Sequence, residues 1–175
     1  NLSALSSTLV ESELFGHRKG SFTGAVQDRR GWLETCPPLG SVFLDEIGEI
    51  SQDLQVKLLR VLQTRTFQRI GDTDDRRFEG KLIAATNRDL HAAVKAGSFR
   101  ADLLYRLNVF PIEVPPLPAR ASDIPLLVNR FVGNFSRKLG KQIDGVSQST
   151  MDRLMKYSWP GNIRELENVI ERATI

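Results

Sequence analysis

A single cysteine, Cys36, stands in the whole chain, so no internal disulfide framework is available and the pattern fits a reducing compartment. Cys36 precedes Pro37-Pro38 with no histidine nearby and reads as structural. No stretch approaches the roughly 18 consecutive apolar residues of a membrane helix, and no charged-then-apolar leader opens the chain. The expected setting is therefore cytoplasmic. An excess of one charge is also lacking: 24 basic against 21 acidic residues leave a net charge of +3, too little by itself to argue nucleic-acid binding. Nowhere is there a G-x-x-x-x-G-K-[ST] phosphate loop. The first residue is Asn1, not Met, and the last residues still read as helix, so the expectation is a piece of a longer polypeptide. What remains is 175 residues of 41% apolar content, room for one ordinary domain or for a core with a small appendage.

The densest signal is Gly40-Ser41-Val42-Phe43-Leu44-Asp45-Glu46-Ile47-Gly48. An apolar run that suits a fully buried strand ends in two carboxylates and a glycine, which predicts a parallel strand delivering acids to the carboxyl edge of a sheet. Such acids either act on a ligand or simply meet water. Ahead of them, Leu5, Leu9, Val10 and Leu14 predict an amphipathic helix over residues 3–16, stopped by Gly16. Next, His17-Arg18-Lys19-Gly20-Ser21-Phe22-Thr23-Gly24-Ala25 brackets one aromatic with glycines, which places Phe22 and Thr23 at a loop tip. An aromatic there either tucks back onto its own domain or is exposed for a partner. Residues 26–40 read as a polar connection. Ser51 caps a helix with Leu54, Leu58, Val61 and Leu62 on its buried stripe, and residues 69–80 read as a charged, glycine-punctuated connection in which Asp74-Asp75-Arg76-Arg77 is a solvated turn. Leu82 to Asn87 repeats the strand-then-polar pattern, so the intervening helix makes a βαβ crossover. Asp45-Glu46 and Thr86-Asn87 then open on one edge, where open α/β sheets bind ligands.

A short helix over 89–96 and another beginning near Ser98 follow. On an ideal helix Arg100 and Arg106 would lie about 120° apart, so they read as surface arginines unless one falls outside the helix. Residues 109–114 suggest a third strand, which Pro111 demotes toward an edge, and Pro115-Pro116-Leu117-Pro118 reads as a hinge. Three helices are expected beyond it, capped by Ser122, Ser147 and Asn162. Glu165 would complete a capping box with Asn162, and the last helix carries Ile163, Leu166, Val169, Ile170 and Ala173 on its apolar face. Arg164 in its first turn opposes the helix macrodipole, so it is better explained by something it reaches.

Several of these segments together resemble one family. Glu13-Leu14-Phe15-Gly16-His17, the Gly20 to Ala25 loop, Phe43 to Gly48, Ala84 to Leu90, Phe99 to Val109 and Trp159 to Val169 are similar to the central AAA+ domain of bacterial enhancer-binding proteins, the NtrC-like activators of sigma-54 RNA polymerase. The resemblance covers essentially the whole chain, and a GAFTGA-type loop is nearly private to that family. It implies an α/β fold, an AAA+ P-loop NTPase parallel sheet followed by a small helical lid, divided here as residues 1–117 and 118–175. It also implies ATP and Mg²⁺ as cofactors, and as partners the sigma-54 RNA polymerase holoenzyme and further copies of the chain in a hexameric or heptameric ring. DNA binding is expected only through a downstream helix-turn-helix.

Carried over by position, Asp45 and Glu46 resemble the Walker B pair, Asp45 holding Mg²⁺ through water and Glu46 polarising the attacking water. Thr86 and Asn87 resemble sensor I, Arg100 and Arg106 the trans-acting arginine fingers, and Arg164 the nucleotide-reaching sensor II. Asn1 occupies the place of a polar switch residue that restrains the catalytic glutamate, and Gly20, Ser21, Phe22, Thr23, Gly24 and Ala25 form the loop that would contact sigma-54. Departures are Ser21 in place of the usual alanine, taken as a small change on an exposed loop, and a less charged segment over 118–122. The missing phosphate loop is the largest; in the family it lies just upstream of Asn1, on a central strand between those expected at 82–87 and 109–114. The 175 residues alone are thus expected to bind ATP poorly. A non-catalytic module that binds sigma-54 or partner subunits is the alternative, and another AAA+ motor such as a chelatase or helicase subunit would have no use for the Phe22 loop.

Overall fold

The computed structural model describes residues 1–175 and contains two compact units, Asn1–Pro111 and Ile112–Ile175. In the first, helix α1 (Ser7–Phe15) runs into strand β1 (Gly16–His17), which pairs antiparallel with β2 (Arg29–Arg30) and is followed by a single turn, α2 (Trp32–Thr35). The parallel pair at the centre is β3 (Ser41–Asp45) with β6 (Lys81–Ala85), in register from Ser41 opposite Lys81 to Asp45 opposite Ala85. Between them lie α3 (Gln52–Thr64) and a hairpin of β4 (Thr66–Phe67) and β5 (Arg76–Arg77); α4 (Leu90–Lys95) and α5 (Ala101–Leu107) complete the unit. The expected βαβ crossover is therefore present, with parallel strands ending flush.

Helix α3 starts where the Ser51 hydroxyl accepts the Leu54 N–H at 3.4 Å. It buries Leu54, Leu58 and Val61, as its period dictates, but also Leu59 and the polar Gln55, while Leu62 is half-buried. These side chains meet Leu14, Phe15, Leu33, Val42, Leu44, Ile47, Phe67 and Phe78 in one core. Strand β3 was expected to be buried on both faces. Only one face is: side chains alternate along the strand, so Val42 and Leu44 lie in the core while Phe43 and its register partner Ile83 are exposed on the opposite face. Helix α1 also departs from its expected stripe. Leu5 lies ahead of the helix and Leu9 is turned about 100° from Val10, so both are exposed while Val10 and Leu14 face the core.

Residues 109–114 form no strand. Pro111 has no N–H to give a ladder, no other segment pairs with them, and Val109, Phe110, Ile112 and Val114 are all more than 70% exposed. Asp74, Asp75 and Arg77 are exposed, as expected, in the charged connection over 69–80. It carries β5, and Arg69 is buried in a two-pronged pair with Glu34 at 2.7 and 2.6 Å.

In the second unit, a 3-10 segment (Leu117–Asp123) leads directly into α6 (Ile124–Leu139), with Pro125 in the first turn. Ser122 lies inside that segment, so it does not cap α6 as expected; no side chain does. Ser147 does cap α7 (Gln148–Lys156), accepting the Thr150 N–H at 3.4 Å. Helix α8 (Asn162–Thr174) packs along α6 around Leu117, Ile124, Val128, Trp159, Leu166 and Ile170, whereas Ala173 faces solvent and Thr174 is buried. The expected capping box is altered. Asn162 has φ of +51° and its Oδ1 accepts the Leu117 N–H at 2.7 Å, while Glu165 Oε2 accepts the Gly161 N–H at 2.8 Å. The asparagine ties two elements of the unit together, leaving the helix start to the glutamate.

Candidate active site

The flush ends of β3 and β6 put Asp45-Glu46 and Thr86-Asn87 side by side at one sheet edge. Asp45 and Glu46 are half-buried; Thr86 and Asn87 are exposed. Glu46 adopts the left-handed backbone conformation, φ +60° and ψ +45°, and opens a single 3-10 turn over Ile47–Glu49. A non-glycine residue held there costs roughly 1 kcal/mol, and such strain concentrates at functional sites. Gly48 lets this turn come against the second strand end, for a Cβ on it would lie 2.9 Å from the Thr86 hydroxyl. The hydroxyl in turn accepts the Arg88 N–H at 3.1 Å, and the Arg88 guanidinium pairs with Glu49 at 2.5 Å. The sequence marks Gly48 as the glycine after the two carboxylates and gives Arg88 no separate role, because the part each plays depends on contacts between distant segments.

The chain start is fastened to the same edge. The Leu2 N–H donates to the Asp45 carbonyl at 3.0 Å, and the Asn1 amide donates to Asp45 Oδ2 at 3.0 Å while its oxygen accepts from the Ser3 N–H and hydroxyl. The expected switch residue thus bonds to the aspartate, not to Glu46. As a magnesium site the edge offers one or two carboxylates and no cluster of three acidic, histidine or cysteine ligands. That fits a hard cation that keeps most of its waters and takes the rest of its shell from substrate phosphates.

Arg100 is the residue before α5, in extended conformation, so the ideal-helix angle to Arg106 does not apply to it. Its guanidinium grips Asp102 with two bonds, at 3.0 and 2.7 Å. Those hydrogen bonds hold the guanidinium above its ordinary pKa and the carboxyl below its own. Arg106 is exposed in the last turn of α5 and forms no ion pair. Arg164 is exposed in the first turn of α8, in the second unit, and makes no hydrogen bond or ion pair.

The Gly20 to Ala25 loop closes on itself through the Gly20 N–H to the Ala25 carbonyl at 2.8 Å and the Ala25 N–H to the Phe22 carbonyl at 3.0 Å. Thr23 and Gly24 stand at the exposed tip. Phe22 is half-buried with its ring edge-on to His17, 4.9 Å between centroids. Ser21 was expected on an exposed surface; instead it lies against Gly71, and its hydroxyl is buried without a partner. The loop folds down onto the hairpin because their backbones are bonded, Arg18 N–H to the Ile70 carbonyl at 2.9 Å and Ile70 N–H to the Gly16 carbonyl at 3.0 Å.

Comparison with known proteins agrees with this architecture. Residues 1–113 match the sigma-54 interaction domain family, and residues 119–175 match the AAA+ ATPase lid domain family. The nitrogen fixation protein AnfA of Azotobacter vinelandii is 53% identical over the whole chain, and the phenol regulator MopR of Acinetobacter guillouiae 52%. The chain spans about a third of the length of these relatives, 33% and 31%. The crystal structure of NtrX from Brucella abortus in complex with ADP superposes with a TM-score of 0.88 at 34% identity, covering 99% of this chain and 37% of the other. The parallel strand pair and the helical second unit agree with both matches, and the chain belongs to the sigma-54 interaction domain family, with an AAA+ ATPase lid following it.

Proposed function

We propose that this chain is the ATP-hydrolysing core of a sigma-54-dependent transcriptional activator, which couples turnover in a ring of copies to remodelling of the sigma-54 polymerase at a promoter. The observation that supports this most is the sheet edge itself: two parallel strands end flush, one with an aspartate and a left-handed glutamate, the other with Thr86 and Asn87. In this reading Asp45 would hold a hydrated magnesium ion, which would supply positive charge to the triphosphate. Glu46 accepts a hydrogen bond from the attacking water and aims it in line with the phosphorus. The Asn87 amide serves the same water or the γ-phosphate from the adjacent strand end. Arg100 and Arg106 stabilise charge developing on a neighbouring copy's nucleotide, and Arg164 reaches a nucleotide from the lid. The grip of Asp102 on Arg100 is a resting pair that a phosphate would displace. The Phe22 loop contacts sigma-54 with Thr23 at its tip. The ADP held by NtrX supports a nucleotide as the ligand.

The rival reading, a module that contacts sigma-54 without hydrolysis, has no use for a strained carboxylate at Glu46. In the full-length protein, Glu46→Gln keeps the shape of the side chain and removes the charge that polarises water. It is expected to bind ATP within about twofold of the parent while turnover falls by roughly a hundredfold or more. Unchanged turnover would remove Glu46 from this role and favour the rival.

A further inference from the structure

Gln55 is a polar residue in the middle of the buried face of α3, with no exposure to solvent. Its amide nitrogen donates to the carbonyls of Ile50 at 3.1 Å and Ser98 at 3.0 Å, and its amide oxygen accepts the Arg100 N–H at 2.8 Å. The partners determine which amide atom is which, since carbonyls can only accept and a backbone N–H can only donate. Ile50 closes the short turn that Glu46 opens, and Ser98 and Arg100 flank the buried Phe99 at the entry to α5. One side chain, inside an otherwise apolar core, therefore joins the backbone of the carboxylate turn to the backbone that carries Arg100. A leucine would fill this position at no desolvation cost. A buried amide is tolerated because three of its bonds are made, and it defines a single spacing between the segments it joins.

We propose that Gln55 is a positioning residue for phosphoryl transfer, holding a copy's own carboxylate turn at a set distance from the arginine that the same copy offers its neighbour. Through it, a change at one nucleotide site is passed to the arginine serving the next. This rests on the ATPase reading above, and the two fail separately: ATP turnover by the full-length parent, lost in Glu46→Gln, tests that reading before Gln55 is touched.

The test compares full-length Gln55→Leu, Arg100→Ala and Glu46→Gln, alone and mixed. Gln55→Leu is expected to bind ATP within about twofold of the parent with kcat lowered roughly tenfold to a hundredfold, the range for a catalytic group misplaced by an ångström or less. Mixing Arg100→Ala with Glu46→Gln copies restores activity, because one supplies an intact site and the other an intact arginine. Gln55→Leu is restored by neither, since both its site and its arginine are displaced. A kcat equal to the parent's, or restoration by Glu46→Gln copies to the level of that first mixture, overturns the proposal. Gln55→Glu adds a readout that simple loss of packing would not move. Its carboxylate still accepts from Arg100 but opposes two carbonyl oxygens until it is protonated, so its kcat relative to the parent rises as pH falls from about 8 to about 6. A flat ratio overturns the proposal. Should neither variant fold, amide exchange in the unaltered protein decides: ATP must change protection of the Arg100 N–H and of residues 47–50 together, and independent changes overturn it.

Discussion

Replacing Arg69 by methionine keeps the unbranched stem and removes the guanidinium that meets Glu34 at 2.7 and 2.6 Å. Both side chains are largely out of water, 8% and 16% exposed. Breaking a buried pair from one side costs about 3–5 kcal/mol when the remaining charge is left with nothing. Here Glu34 keeps Arg30 at 3.4 Å and Arg76 at 3.7 Å, so the loss should fall to about 2–3 kcal/mol. The pair fastens the β4–β5 hairpin to α2, so the effect should appear first as local opening of that hairpin. Hydrogen exchange of amides 66–78 is expected to accelerate by roughly 30- to 150-fold, the equivalent of that energy.

The pH dependence follows from Glu34. The hydrogen bond from Arg69 holds its carboxyl below the ordinary value. A lowered carboxylate contributes stability that is complete above its unfolded pKa and is lost as pH falls through the folded one. The difference between parent and variant should therefore be full near neutrality and shrink in acid, below the ordinary carboxylate range. A difference that persists unchanged at low pH would mean the methionine acts through packing, and the ion-pair argument would be refuted.

Other substitutions probe single features. Ser21→Ala removes a buried hydroxyl that has no partner and should be neutral or stabilising by up to about 1 kcal/mol in thermal melts; a loss larger than that would show a bond not yet accounted for. Asn162→Gly keeps the positive φ but deletes the acceptor for Leu117, so the second unit should lose about 1–2 kcal/mol, read from the fluorescence of buried Trp159 during denaturation. No loss would place that bond outside the unit's stability. Glu46→Gly should relieve the left-handed backbone and raise the melting free energy by about 1 kcal/mol while abolishing turnover, and a destabilised variant would contradict strain at that position.

Much of the site was legible because its signals are local. The run Val42 to Asp45 and its repeat at Leu82 to Ala85 each carry strand and strand end in a few residues, and the helix between them sets parallel pairing. Gly20 and Gly24 likewise announced a tight loop, both at positive φ. What sequence could not supply is which polar groups meet across long separations. Nothing in the sequence near Gln55 points to its partners, which lie up to 45 positions away. Asn162 carried a helix-start signature, but its oxygen is taken by Leu117, and Ser21 counted as surface until the hairpin closed over it. The strand expected over 109–114 failed for a related reason: β propensity describes a segment, whereas a ladder needs a second one.

The crossing at the root of the Phe22 loop bears on how such a loop could do work. At Gly16 the two backbones pass so closely that a Cβ would stand 2.5 Å from the Arg29 carbonyl oxygen and 2.7 Å from the Gly31 nitrogen. The loop is bonded at its base, where β1 pairs with β2, and along its flank to the segment between β4 and β5. A displacement of the Thr23 tip is therefore coupled to those elements, and a small rotation near the base would be magnified at Thr23 in proportion to the loop's length.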